Sequence, residues 1–309
     1  MPELRFDLLT GRPSILAPER ARRPDGAGGA AGPCPFCPGH EHLTPPEIAR
    51  VGREWRVRVV PNRYPLVAGA HEVVVLSRDH HRSLAQLPAP HVADVLATLR
   101  DRCRHHVAAG RPCPQVFVNH GPAGGASLAH PHAQLVALDR LPPVVAREVA
   151  ASPPGGCPLC TAIRDPGDLA VTTGDHDGVA VWCPWAPSTA FELLLAPTRH
   201  RSRFEDTPDT ALPGLAEALV DALRRLRRVT GDAPYNLAVH SAPPGTAGFH
   251  WHVHVWPRCE MPGGFELGTG IGVATVDPAD AAARLRAAPA GPAGPSPGRA
   301  AGSARPGGG

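Results

Sequence analysis

The chain repeats itself once, and that repeat limits its possible folds more than any other feature. Cys34-Pro-Phe-Cys37 returns as Cys157-Pro-Leu-Cys160. His80 lies 43 residues beyond Cys37 and His200 lies 40 beyond Cys160, while His130 follows His80, and His250 follows His200, by 50 residues each. Segment 71–80 aligns with segment 191–200 at an offset of 120, and each reads as a short buried strand running to a His. A helix follows in each copy, marked by Val92, Val95, Leu96, Leu99, Cys103 and Val107, then by Leu212, Leu215, Leu219, Leu223 and Leu226 opposite an Arg-rich face. A strand at 115–119 or 235–239 comes next, then a Gly/Pro-rich turn and a last strand with alternating His. One duplication of this length is too few copies for a solenoid. The expected fold class is α+β, with two tandem modules of antiparallel sheet and packed helix. Their expected bounds are 1–150 and 151–286, followed by a disordered Pro/Gly/Ala tail at 287–309. A second loose stretch is expected over 22–33.

Each copy unites a C-x-x-C pair with two His, so Cys34, Cys37, His80 and His130 form one candidate site, and Cys157, Cys160, His200 and His250 a second. Thiolate and imidazole suit tetrahedral Zn²⁺, and four protein ligands leave no open position, so a structural ion is expected at the first set and a second ion at the other. A redox pair is the competing reading, but both pairs share one His context and no thioredoxin-like βαβ pattern surrounds them. Cys103, Cys113, Cys183 and Cys259 lack such partners and read as ordinary buried thiols. With 309 residues the chain is long enough to bury a full core without disulfides. No apolar run reaches membrane-spanning length and the N-terminal residues show no apolar signal core, so a soluble cytoplasmic protein is expected, with no membrane partner. The net charge of +3, carried entirely by Arg on the basic side, excludes a polybasic nucleic-acid binder.

The segment richest in chemistry runs from Asn119 to Gln134 and contains Gly121, Gly124, Gly125, Ser127, His130 and His132. On a strand, 130, 132 and 134 face the same way. With His130 assigned to the metal, His132 stands beside a glycine-rich turn whose N–H groups, with Ser127, suit a phosphate. A neutral imidazole aimed at such a cradle is an arrangement for nucleophilic attack on phosphorus. Gln134 can donate to a phosphoryl oxygen without acting as a base. A strand His satisfied by hydrogen bonds is the bland alternative, and the phosphate-loop context decides against it. In the second copy, His252 would match His132, but Pro243 and Pro244 remove N–H donors from the preceding turn, so His132 is the preferred nucleophile.

At these residues the chain resembles the galactose-1-phosphate uridylyltransferase family, a branch of the histidine-triad superfamily. His130-Pro-His132-Ala-Gln134 matches the family's H-P-H-x-Q. Similarity extends over Leu9-Thr10-Gly11, Ala17 to Pro24, the segment from Pro61 to Pro65, and Gly264-Phe265-Glu266. The resemblance implies a double displacement in which His132 attacks the α-phosphorus of a nucleotide sugar and a second phosphate then takes the nucleotidyl group. It implies that Gln134 and Ser127 hold phosphate oxygens beside Asn119, and that Arg20 reaches a phosphate across a homodimer interface. It further implies that Asn62 contacts the nucleoside, that Glu266 belongs to the substrate-binding set, and that Cys34, Cys37, His80 and His130 hold zinc. The Gly264–Val273 segment and the second Cys pair are more similar to relatives that act on ADP-glucose with inorganic phosphate. The expected function is therefore exchange of a nucleoside monophosphate between a nucleotide sugar and a hexose 1-phosphate. The alternatives are an adenylyl-type nucleotide-sugar phosphorylase, a histidine-triad hydrolase, or a zinc-stabilised nucleotide-binding module.

Overall fold

The computed structural model describes residues 2–22, 32–153, 155–172, 178–289 and 291. The expected tail, apart from 287–289 and 291, and most of the 22–33 stretch lie outside the described residues. In chain order the elements are β1 (Glu3–Phe6), β2 (Pro13–Leu16), β3 (Ala49–Val51), β4 (Val57–Pro61), β5 (His71–Val75), α1 (Ala89–Ala108), β6 (Cys113–His120) and β7 (His132–Leu138). Then follow α2 (Pro143–Ala150), α3 (Pro158–Arg164), β8 (Ala170–Thr172), β9 (Val179–Trp182), β10 (Leu193–Pro197), α4 (Leu212–Thr230), β11 (Tyr235–His240), β12 (His252–Pro257), α5 (Gly264–Thr269) and α6 (Pro278–Ala287).

β1 and β2 form a separate hairpin, while the other ten strands form one antiparallel sheet in the order β3-β4-β5-β7-β6-β11-β12-β10-β9-β8. Adding five to each strand number of the first half gives the second half read inward from the opposite edge. The duplication expected from the Cys and His marks is thus present strand by strand. The two halves do not carry separate sheets, however. β6 pairs with β11 from Tyr235↔His120 to Val239↔Val116, which closes what would otherwise be two exposed edges.

α1 and α4 pack on each other and on one face of this sheet, and both bury the apolar stripe expected of them. The period of two in a strand then divides the side chains. Ala133, Leu135 and Ala137 of β7, Val116 and Val118 of β6, and Val253 and Val255 of β12 enter the core beneath the helices. His132 and Gln134, Asn119, and His252 and His254 are left for the opposite face. No helix among the described residues is long and apolar enough to cross a membrane.

One polar clasp fastens α1 to the sheet. Glu72 of β5 accepts hydrogen bonds from the partly buried Arg102, through Nε (2.8 Å) and Nη2 (2.6 Å), and from His106 Nε2 (2.8 Å), with Glu72 and His106 both buried. Burial alone would raise the Glu72 carboxyl, but these donors outweigh it and hold it at about 2, against an ordinary 4.5. A depressed folded value means that the clasp stabilises fully above the unfolded pKa and is lost as pH falls through 4.5 towards 2. Glu72→Gln is expected to cost on the order of 3 kcal/mol at pH 7, because it leaves Arg102 and His106 without their carboxylate. Urea unfolding at pH 7 and pH 3 checks both parts, since the gap between wild type and variant should narrow at the lower pH. An unchanged gap would refute the account.

Candidate active site

Just before β7, Pro131 lacks an N–H, and the regular strand begins at His132. His130 therefore precedes the strand rather than lying in it, contrary to the sequence expectation. Its ring turns away from the site: Nε2–H donates to the Ser77 carbonyl at 2.8 Å, and Nδ1 faces the Sγ atoms of Cys37 and Cys34 at 3.6 and 3.8 Å. His80 Nδ1 lies 3.3 Å from Cys37 Sγ. Zinc bonded to sulfur at about 2.3 Å and to nitrogen at about 2.0 Å sets S and N roughly 3.5 Å apart in a tetrahedron, so the donors fit that ion. Burial brings His130 down to about 4, which keeps it neutral and available as a ligand near pH 7.

The second set repeats this arrangement. His250 Nδ1 stands 3.4 Å from Cys160 Sγ and 3.8 Å from Cys157 Sγ. His200 Nδ1 is 3.3 Å from Cys160 Sγ, and its Nε2–H donates to the Ala247 carbonyl at 2.9 Å. Each set brings its four side chains within the reach of one ion. Of the remaining thiols, Cys103, Cys113 and Cys183 are buried as expected, and burial pushes Cys183 up to about 12. Cys259 is exposed, contrary to expectation, because it follows β12 where the chain has left the core.

His132 is 6% exposed, and its Nδ1 lies 2.9 Å from the His130 carbonyl oxygen. A carbonyl only accepts, so Nδ1 carries the proton and Nε2 the lone pair. Phe36, from the first Cys loop, packs against the ring at 5.4 Å between centroids. His132 lines two hollows. One is a cavity of about 660 Å³ lined by Phe36, Val60, Asn62, Ser127, His132 and Gln134, among others. The other is a small cleft under the glycine turn, lined by Asn119, His120, Gly121 and His132.

The glycine turn is shaped by the second half of the chain. Gly121 and Gly125 have φ of 74° and 81°, in the left-handed region. A Cβ on Gly124 would lie 2.9 Å from the Tyr235 carbonyl oxygen, and one on Gly121 would lie 2.9 Å from Pro234 Cβ. Asn236 of β11 donates to the Gly124 carbonyl at 2.7 Å and to Asn119 Oδ1 at 2.8 Å, and Arg258 Nε in turn donates to Asn236 Oδ1 at 2.6 Å. Asn236 and Arg258 are supporting residues that sequence reasoning missed; only the pairing of β6 with β11 brings them here.

The expected substrate-binding residues divide. Asn62, Ser127 and Gln134 gather with His132 on one cavity, and Asn119 lines the small cleft that His132 also lines. Arg20 stands at the rim, where its Nη1 donates to the carbonyl of Tyr64, itself a wall residue. Glu266 does not join them: its Oε2 accepts from the Gly263 N–H at 2.8 Å and so closes the first turn of α5.

A third cluster escaped the sequence reading altogether. Glu148, His240, His252 and His254 offer ligand atoms within 4.8 Å of one another and could hold a metal ion. His240 Nδ1–H donates to the Glu148 carboxylate at 2.9 Å, and Nε2 of both His252 and His254 lies 3.8 Å from it. Burial lowers His252 to about 3. Burial works the same way on His254, but hydrogen bonds to Glu148 and Glu192 outweigh it and hold that ring above its ordinary value. Where His132 faces a cavity, His252 faces a carboxylate carried by α2. The signal available in the sequence was the His252-Val-His254 alternation, which carries two of the four members; His240 lies on the neighbouring strand and Glu148 far earlier in the chain.

Residues 62–142 match the family described as galactose-1-phosphate uridyl transferase, N-terminal domain. An ADP-glucose phosphorylase of Arabidopsis thaliana is 30% identical over 92% of this chain and 92% of its own length. A galactose-1-phosphate uridylyltransferase of Streptomyces lividans is 30% identical over 80% of this chain and 72% of its own. Among solved structures, a uridylyltransferase superposes with a TM-score of 0.82 at 29% identity, covering 93% of this chain and 98% of that one.

Proposed function

The chain belongs to the galactose-1-phosphate uridylyltransferase family and is a nucleotidyltransferase, and on that premise we propose that it transfers a nucleoside monophosphate from a nucleotide sugar through His132. The observation that carries this reading is the tautomer of that ring. Its proton is committed to the His130 carbonyl, so the Nε2 lone pair is ready without a general base. In the first half-reaction Nε2 attacks the α-phosphorus, an N–P bond forms, and the bond to the bridging oxygen breaks. The electron pair leaves on the sugar 1-phosphate. In the second, a phosphate oxygen of the acceptor attacks the same phosphorus and the N–P bond breaks, returning the pair to Nε2.

Gln134 and Ser127 donate to the phosphoryl oxygens, and the Gly121–Gly125 turn receives the rest of the pyrophosphate. The nucleoside occupies the cavity between Phe36, Val60 and Asn62. Gln in place of a third His beside the phosphorus leaves no ionisable group there to assist water, so the adduct lasts until an acceptor arrives. Zinc in the two Cys₂His₂ sets would be structural, because neither set keeps an open position. We place the protein as a homodimer, a reading supported by the exposed apolar side chains Leu4, Phe6 and Ile15 of the β1–β2 hairpin.

A second reading, phosphorolysis of ADP-glucose, is supported by the match to the Arabidopsis enzyme over nearly the whole chain and by the duplicated Cys pair. The deciding experiment offers α-³²P-labelled UDP-glucose and ADP-glucose separately, with no acceptor. The preferred nucleotide is expected to label the protein, and added hexose 1-phosphate or inorganic phosphate to discharge the label. A wild-type enzyme that turns over but never carries label would end the covalent reading.

A further inference from the structure

We propose that His71 is a positioning residue whose fixed tautomer turns the Gln134 amide so that its NH₂ group, rather than its oxygen, faces the phosphoryl group at His132. The inference rests on the function proposed above for His132 and Gln134.

The chain of reasoning starts at the backbone. The N–H of Leu66 donates to His71 Nδ1 at 2.9 Å. A backbone N–H only donates, so Nδ1 is without a proton and Nε2 of the neutral ring carries it. That Nε2 lies 3.0 Å from Gln134 Oε1, with both side chains buried. Asn62 reaches the same oxygen by a second route. Its Oδ1 accepts from the Tyr64 N–H at 2.8 Å, which turns Nδ2 towards Gln134 Oε1 at 3.5 Å. Nδ2 and His71 Nε2 are 3.1 Å apart because two donors converge on one acceptor.

A flipped Gln134 would set its NH₂ against both donors and bury an unsatisfied contact. The amide is therefore held with its oxygen in the network and its nitrogen towards the cavity that it lines with His132 and Ser127. This orientation matters because the donor must be in place before charge grows on the phosphoryl oxygens. In a chain with no Lys, less of that charge can be met by mobile ammonium groups. Both backbone donors belong to the segment between β4 and β5, so that loop sets the hydrogen-bonding polarity of a residue on β7.

The test pairs ring ¹⁵N NMR of histidine-labelled wild-type protein with a double-mutant cycle. The His71 ring is expected as the neutral Nε2–H tautomer, assigned by its disappearance in His71→Gln. His71→Phe is expected to lower kcat by about 10- to 100-fold while KM changes little. Gln134→Ala should do the same, and the double variant should be no slower than Gln134→Ala alone. His71→Gln, which can take the Leu66 N–H on its oxygen and offer an N–H to Gln134, should recover much of the loss. A proton on Nδ1, losses that multiply in the double variant, or full kcat in His71→Phe would each overturn the proposal. Absence of turnover by wild type with either UDP-glucose or ADP-glucose would overturn the proposed function instead, and the tautomer would then decide whether His71 sets Gln134.

Discussion

His132→Gly is expected to remove turnover by about 10⁴- to 10⁶-fold, the range seen when a nucleophile is deleted from an otherwise intact site. That corresponds to roughly 5–8 kcal/mol of transition-state stabilisation. Binding of nucleotide sugar should survive within about tenfold, because the cavity walls and the phosphate donors remain. The fold should survive too, since the loss includes one hydrogen bond of about 1 kcal/mol, from Nδ1 to the His130 carbonyl. Initial rates, calorimetric binding and a melting curve on the same preparation separate these effects. Turnover within tenfold of wild type would rule out His132 as the nucleophile. Parallel initial-rate lines for the wild type are the kinetic counterpart of the adduct, and intersecting lines would point to direct transfer in a ternary complex.

The second large effect is expected at the first Cys₂His₂ set. Cys34→Ser should hold one zinc fewer per chain than wild type and fold poorly. Apparent zinc binding at such sites reaches about 10–16 kcal/mol, comparable with the whole stability of a domain, about 5–15 kcal/mol. The consequence is also local. His130 belongs to the set and holds His132 Nδ1 through its carbonyl, and Phe36 lies between Cys34 and Cys37 and packs on the His132 ring. Loosening the set should therefore slow transfer even in molecules that remain folded. Metal analysis by plasma mass spectrometry checks the first point, and rates normalised to folded protein check the second. Folded wild-type protein without zinc would remove the ion from both sets.

Much of this was legible in the sequence because it is carried by spacing. The Cys and His marks locate both Cys₂His₂ clusters that could hold an ion, and the 115–119 and 235–239 segments anticipate β6 and β11. His132 and Gln134 share a face because strands have a period of two. What escaped depends on contacts between distant elements. Glu148 meets His240, His252 and His254 only because α2, which follows β7 at the end of the first half, reaches over to the second. Asn236 reaches the glycine turn only through the β6–β11 pairing. His71 looked like the first residue of a buried strand, and its role depends on a backbone N–H whose direction no residue pattern reveals. Glu266 shows the opposite case: a motif alone places it with the substrate, and the contact visible in the fold is the local one that closes the first turn of α5.

The pairing of β6 with β11 also carries an evolutionary consequence. A progenitor consisting of one half would have presented β6 as an open edge, and a second copy of itself supplies the matching strand. Fusion of two such genes turns a symmetric pair into one polypeptide and ends the requirement that both copies stay alike. One descendant half could then keep its glycine turn and its open cavity. The other half differs in both respects: Pro243 and Pro244 stand in its turn, and the Glu148 carboxylate faces its central histidine, His252. Its strand β11 still shapes the glycine turn across the seam, through Asn236 and the Tyr235 carbonyl, so the two halves are not free to change independently there.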